Sequence, residues 1–250
     1  MKWDADLYDR KHDFVSKYGE ELIALLDPKS GEEILDLGCG TGDLAELIRE
    51  RGSKVTGIDS STDMIETAKQ KYPLIDFYVR SATDFSFDKK FDAVFSNAAL
   101  HWITEKEKAV QQIYNCLKPH GKLVAEFGGK GNVAMILNAL TNALRKNGFT
   151  ENAKIETWYF PSLSEYASLL EKNGFRVIFA SHFDRDTLLK DHSGIKNWLR
   201  MFAFSYLQGI GEKETEIILD EVEQQLQSTN FHDGKWYADY KRLRIVAVKM

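Results

Sequence analysis

The segment Asp36-Leu37-Gly38-Cys39-Gly40-Thr41-Gly42 constrains this chain more than any other. It follows a short apolar run, EILDL (33–37), and precedes a helical pattern over 43–51 that Gly52 stops. A glycine turn between a strand and a helix lets backbone approach a ligand outside the carboxyl end of the strand. Asp43 and Glu46, three residues apart, read as a capping box for that helix. The rest of the first half repeats the theme. KVTGI (54–58), IDFYV (75–79), FDAVF (91–95) and KLVAEF (122–127) read as further strands, the last entered through a KPHG turn. One helix runs from SSTD to about Lys71, and another, capped by Thr104 with Glu107, reaches Leu117. An amphipathic helix over 8–27 carries Phe14, Tyr18, Leu22, Leu25 and Leu26 ahead of them. Such alternation implies a parallel sheet covered on both faces.

The second half is less regular. Helices are expected over 133–147 and 164–173, and strands at FRVIFAS (175–181) and RLRIVAVK (242–249) bring the total to seven. The stretch 184–240 is too long for a plain connection. It holds helical patterns near 193–207, with Trp198, Phe202, Phe204 and Tyr206, and near 212–227, with Ile218, Val222 and Leu226 on one face. The expected fold is α/β, a doubly wound, mostly parallel seven-stranded sheet with helices on both faces and a helical cap insertion. The expected organisation is a single domain over 1–250, with an N-terminal helix over the site (1–30), a ligand-binding core (31–130) and the cap (184–240).

Composition narrows the function. With 33 Lys+Arg against 38 Asp+Glu the formal net charge is −5, and no basic block occurs. Sequence-independent binding to nucleic acid or to an anionic membrane is therefore disfavoured. Two cysteines, Cys39 and Cys116, lack metal-ligand spacing and fit a reducing compartment. The opening MKWDADLYDRKHDF has no apolar export core, and no run approaches ~18 apolar residues. A cytoplasmic location, no metal and no membrane or nucleic-acid partner are expected, while oligomeric state stays open.

The glycine turn is flanked by Asp36 and Asp43. A dinucleotide fingerprint, G-x-G-x-x-G, would need glycine at position 43, and two carboxylates would repel a pyrophosphate. A ligand carrying an ammonium and a sulfonium would be attracted, which describes S-adenosylmethionine. Asp59 closes the second strand 21 residues after Gly38, where an acid can accept both hydroxyls of a ribose; taken alone it could be a helix N-cap, but spacing and strand position agree on the ribose. After the third strand, Asp84 offers an acceptor to an adenine amine and the backbone of Ala82 and Thr83 can meet the ring nitrogens, unless this is an ordinary loop. Asn97, Ala98 and Ala99 are small residues after the fourth strand, where donor and acceptor must come close.

DLGCGTG, the acid in GIDSS, the acid in SATDF and the segment SNAALHWI together resemble the class I S-adenosylmethionine-dependent methyltransferases, over roughly residues 30–130. Their sheet is Rossmann-like. Within that superfamily WDADLY, NAALHW and HSGIKNWLRMF look like the trans-aconitate methyltransferases and their relatives. The N-terminal helix YDRKHDFVSKYGEEL lacks the arginine pair associated with those enzymes, and FGGKGN is also unlike them. The resemblance implies that Gly38 and Gly40, with Cys39 between them, contact the methionine portion and that Asp36 holds its ammonium. Asp59 with Ser60 would hold the ribose. Met64 would pack on adenine, and Ala82, Thr83 and Asp84 would meet its edge. Asn97 and Ala98 would border the reacting methyl, and Tyr8 would lie over it. S-adenosylhomocysteine would be the product.

His101, Tyr8 and His12 are the candidate bases, although His101 could merely orient its loop. A small carboxylic acid as acceptor would call for a cation, and Arg10, Lys130 and Arg200 are candidates. His192 and Trp198 could belong to the cap's share of the site. Two alternatives remain at this point: an NAD(P)-dependent oxidoreductase, and a catalytically silent S-adenosylmethionine-binding module.

Overall fold

The computed structural model describes residues 14–189 and 194–250. They divide into two compact units. The first holds the described residues up to Gly129 together with Pro161–His182 and Leu243–Met250.

In this unit helix α1 (Phe14–Leu26) leads into β1 (Glu33–Leu37), α2 (Asp43–Glu50), β2 (Lys54–Asp59), α3 (Thr62–Lys71), β3 (Asp76–Val79) and β4 (Phe91–Asn97). Then come α4 (Lys106–Cys116), β5 (Leu117–Gly128) and, after residues of the second unit, α6 (Leu163–Lys172). The strands join one sheet in the order β3-β2-β1-β4-β5-β8-β6, where β6 is Phe175–Leu189 and β8 is Lys235–Lys249. β1 pairs in parallel with both β2 and β4, setting Asp36 between Gly57 and Phe95. β1 to β4 are the short apolar strands read from sequence, and β2–β3 and β4–β5 are parallel as well. An eighth strand, β7 (Phe231–His232), pairs with β8 off this path. Leu22, Ile23 and Leu26 of α1 pack with Ile34, Ile48, Phe77, Phe95 and Val124 in one buried cluster. That is the expected use of the α1 face, at about 25 cal/mol per Å² of apolar surface removed from water.

Three local expectations give way. Helix α2 has no capping box: its N-cap is Gly42, and Glu46 instead reaches Arg49, at 2.6 and 2.7 Å. Asp43 is taken up by the Tyr72 hydroxyl at 2.5 Å and by Lys71 at 2.6 Å. Helix α4 begins one residue beyond Glu105, and Thr104 does not cap it. The KPHG turn lies inside β5, which absorbs it by a register shift against β4 between Phe91 and Ala93, with His120 at φ 63°.

The second unit holds Lys130–Phe160 and Phe183–Arg242, so it takes in residues 130–160 as well as the helical stretch expected at 184–240. It contains α5 (Ala134–Lys146), α7 (Gly194–Phe202), α8 (Phe204–Leu207) and α9 (Glu212–Asn230). Its interior is aromatic. Trp158 stacks on Phe160 and on Tyr206, with centroids 5.8 and 5.9 Å apart, and lies 6.4 Å from Trp198, which in turn meets Phe202 at 5.4 Å. Trp198 donates its indole N–H to the Tyr240 hydroxyl at 2.6 Å. Among the described residues no helix is long and apolar enough to cross a membrane.

Candidate functional site

The glycine turn is held from below by β2. Gly38 and Cys39 both donate their N–H groups to the Ile58 carbonyl, at 2.8 and 3.0 Å, Gly40 donates to Asp59 Oδ2 at 3.1 Å, and Gly42 donates to the Cys39 carbonyl at 3.0 Å. Four of the five N–H groups of the turn are therefore already used. A pyrophosphate cradle needs such groups pointing outward, so this turn is built for something other than an anion.

The glycines differ in what they do. At Gly38, with φ +76°, a Cβ would sit 2.2 Å from the Ala99 Cβ, so glycine is required by close approach to the loop after β4. At Gly40, with φ +54°, a Cβ would meet no described residue within 4 Å. Among the described residues the turn is thus packed tightly at its start and open at its crest.

Two carboxylates line it. Asp36 is 2% exposed, and its Oδ2 has no hydrogen-bond partner among the described residues. Burial, and then the neighbouring Asp59, push its carboxyl up to about 8. Asp59, half-buried, accepts from Gly40 through Oδ2 and from the Ser61 N–H through Oδ1 at 2.9 Å. Burial raises its pKa, and the backbone N–H groups of Ser61, Gly40 and Ser60 oppose the rise. An orphaned buried oxygen and two raised carboxyls are what a cation would relieve. The open crest, the orphaned Asp36 oxygen and the acid ending β2 fit the sulfonium nucleoside implied by the sequence resemblance. Asp43, the other acid read as flanking the turn, is neutralised by Lys71 and Tyr72 and does not share in this.

The Cys39 side chain points away from that role. It is packed in the core cluster, and burial, with Asp36 and Asp59, raises its thiol well above the ordinary range. Met64 is 4% exposed in the first turn of α3, where its N–H donates to the N-cap Ser61 hydroxyl at 3.3 Å. Ser60 is exposed. In the loop after β3 the Ser81 hydroxyl meets the Thr83 hydroxyl at 2.8 Å and the Thr83 N–H at 3.2 Å, while the Asp84 N–H closes onto the Ser81 carbonyl. Ala82 and Thr83 are half-buried and Asp84 is exposed.

At the end of β4, Ala98 adopts φ +57°, a left-handed conformation uncommon for alanine. Its N–H donates to the Glu126 carbonyl of β5 at 2.7 Å, and Asn97 lies opposite Glu126 in register. His101, buried, accepts the Gly128 N–H on Nδ1 at 3.3 Å. In a neutral imidazole the accepting nitrogen is the one without a proton, so a neutral His101 accepting at Nδ1 would carry its hydrogen on Nε2. That contact ties the loop after β4 to β5, which is the loop-orienting use of His101 weighed above beside the role of a base.

The remaining candidates separate. Tyr8, Arg10, His12 and His192 lie outside the described residues. Lys130 is exposed and opens the second unit. Arg200 pairs with Glu212 at 2.7 Å and with Glu216, so its charge is already answered. Trp198 is an interior residue of the second unit. One feature had no local signal in the sequence. Glu126, 2% exposed, pairs with Arg244 at 2.6 Å, and Arg244 also reaches Glu21 of α1 at 3.0 Å. The partners are 118 residues apart in sequence.

The family described as methyltransferase domain matches residues 35–125. An uncharacterized methyltransferase of Schizosaccharomyces pombe is 33% identical over 258 residues, spanning 99% of this chain and 98% of its own length. A trans-aconitate 2-methyltransferase of Rhizobium etli is 26% identical over 258 residues, with both proteins covered in full at 100%. A solved structure from Bacillus halodurans, provisionally described as a methyltransferase, shares the fold with a TM-score of 0.63 at 17% identity, covering 92% of this chain and 97% of that one.

Proposed function

We propose, for a chain that belongs to the class I S-adenosylmethionine-dependent methyltransferases, that the methyl acceptor is a small molecule bearing a carboxylate. The observation that carries this is His101, the one candidate base among the described residues: its Nδ1 accepts the Gly128 N–H. A hydroxyl or amine acceptor gains ~10²–10⁴-fold from a base, whereas a carboxylate oxygen is already an anionic nucleophile and needs none. Two further points support the reading. A relative aligned along the whole chain bears the name trans-aconitate 2-methyltransferase. A net charge of −5 disfavours a nucleic-acid acceptor.

The cofactor is S-adenosylmethionine, and it supplies an activated methyl group on a positively charged sulfur. In our reading the chain's own residues bind and align. Asp36 would hold the ammonium and Asp59, with Ser60, the ribose hydroxyls. Met64 and the loop of Ala82, Thr83 and Asp84 would take the adenine. The open crest at Gly40 would admit the methionine portion, with the backbone rather than the thiol of Cys39 beside it. Asn97 and Ala98, fixed by Glu126 and His101, would leave room for the acceptor to meet the methyl in line. Such alignment alone is worth effective molarities of ~10⁵–10⁸ M. Both units together would form one methyltransferase domain over 1–250. A cytoplasmic site of action suits two buried, unbridged cysteines.

The test is a mass-spectrometric screen of small carboxylic acids, trans-aconitate included, with the enzyme and S-adenosylmethionine. Methyl esters appearing together with S-adenosylhomocysteine are expected. Turnover confined to amines or phenols would overturn the acceptor class while leaving the donor in place.

A further inference from the structure

Asp36 is an acid that no described residue neutralises. On β1 it is flanked by Gly57 of β2 and Phe95 of β4. The titratable groups bearing on it among the described residues are Asp59 from the end of β2 and Cys39 from the glycine turn. From β4 come the neutral Phe95 and Ser96, and the Ser96 hydroxyl is spent on the Leu37 carbonyl at 2.8 Å. No lysine or arginine is among these groups. Asp59 cannot help, because it is itself an acid and its two oxygens are directed at the N–H groups of Gly40 and Ser61. An ionised carboxylate with an orphaned oxygen, buried beside a second carboxylate, is costly.

We propose that Asp36 keeps a proton while the site is empty and releases it as the donor's cation enters, so that donor binding and proton release are one event. This rests on the donor assignment above. The burial of Asp36, its unpartnered Oδ2 and the adjacent acid all favour the neutral carboxylic acid without a ligand; a raised carboxyl near pH 8 agrees with them. An arriving ammonium reverses the balance, since an opposite charge favours the ionised form. The O–H bond of Asp36 breaks, its electron pair stays on the carboxylate, and the proton passes to solvent. Below the pH at which the empty site would ionise, each pH unit then raises donor affinity by up to about tenfold. The dependence flattens above it. The same linkage has a sign for stability. A carboxyl raised in the folded protein stabilises it at low pH, and that contribution is lost as pH rises from the ordinary carboxylate range to about 8. Donor binding should restore it.

The experiment is calorimetric titration of the protein with S-adenosylmethionine at pH 6.5–7.5, approximate values chosen to lie below the ionisation of the empty site, in buffers of different ionisation enthalpy. The expected result is a binding enthalpy that depends on the buffer and corresponds to release of up to one proton. In Asp36→Asn that release should vanish, while any proton uptake by the donor's own amine remains. Should the variant fail to fold, infrared difference spectra of the natural protein decide the matter. Donor addition should bleach the carbonyl stretch of a buried carboxylic acid and raise a carboxylate band. Tight binding with no proton release and no such bleach would overturn the proposal and spare the donor assignment. Failure of the folded protein to bind the donor at all would instead remove the assignment on which it stands.

Discussion

The two units treat their buried polar groups in opposite ways. In the first, the turn between β1 and α2 leaves Asp36 with an unpartnered oxygen and sets Asp59 beside it. In the second, Lys196 meets Asp220, Glu216 and Glu223, and Arg200 meets Glu212 and Glu216, while the buried Arg242, whose Nε makes no hydrogen bond among the described residues, lays its guanidinium over the Tyr240 ring at 4.4 Å. The unit's buried donor at Trp198 has a partner in Tyr240. Asp239 of the second unit also has one orphaned oxygen, but its other oxygen accepts the Met135 N–H at the start of α5 at 2.8 Å, a structural use. Backbone strain does not follow this division: Ala98 holds a positive φ at the end of β4, and so do Val133 and Asp233 in the second unit. The lesson is that uncompensated burial marks the place a ligand is meant to complete, whereas compensated burial marks a scaffold.

The largest effect should come from crowding the turn. Gly38→Ala adds a methyl 2.2 Å from the Ala99 Cβ in a left-handed backbone. Left-handed strain of ~1–2 kcal/mol and overpacking of ~1–3 kcal/mol together predict a loss of about 2–5 kcal/mol, read by urea denaturation. Gly40→Ala should cost only the first of these terms, because no described residue lies within 4 Å, yet it should block the donor in calorimetry. Equal stability losses at the two positions would erase the distinction between the packed start and the open crest. Next in size is Asp59→Ala. It should weaken S-adenosylmethionine binding by about 2–4 kcal/mol, since a charged partner is lost from a buried diol. Unchanged affinity in a folded variant would mean that the ribose lies elsewhere.

How far the sequence could be read follows from the same contrast. The first unit is built from neighbours. Its strands are short apolar runs, its turn is three glycines, and Asp36, Gly38, Gly40 and Asp59 sit on consecutive elements, so spacing alone brought them to one sheet end. What escaped there was side-chain choice: Glu46 took Arg49 instead of capping α2, and Asp43 took Lys71 and Tyr72. Local patterns offer two partners and tertiary contact selects one. The pairing of Glu126 with Arg244 had no local trace at all. In the second unit the contacts that matter are distant. Trp158 lies on Trp198 and Tyr206, so residues 130–160 could not be assigned beside 183–242 from periodicity. The β6 and β8 strands likewise run further, to Leu189 and back to Lys235, than their apolar cores at 175–181 and 242–249 suggested.

A smaller effect should separate the units functionally. Trp198→Phe keeps most of the ring contacts with Trp158 and Phe202 but removes the N–H that meets Tyr240. Tyr240 is 7% exposed, so its hydroxyl would be left buried without that donor, at a cost of about 1–3 kcal/mol. Thermal unfolding should record that loss while the Kd for S-adenosylmethionine stays constant. A parallel loss of donor affinity would show that the aromatic interior and the glycine turn are energetically coupled.

The smallest effect is expected at Arg200. Its partners Glu212 and Glu216 are partly exposed, and Arg200 itself is about a third exposed. Solvent screens such pairs to about 0–1 kcal/mol, and removing the cation leaves two exposed acids that water can satisfy. Arg200→Ala should therefore shift stability by less than about 1 kcal/mol and leave donor affinity unchanged. Raising the ionic strength should shrink even that difference, because a surface pair is screened over a Debye length of about 10 Å at 0.1 M salt. The informative measurement is the acceptor's KM. If it is unaltered, Arg200 belongs with the matched charges of the scaffold. If it rises while kcat holds, the guanidinium leaves its glutamates for an anionic acceptor, and the division between a compensated and an uncompensated unit fails at this residue.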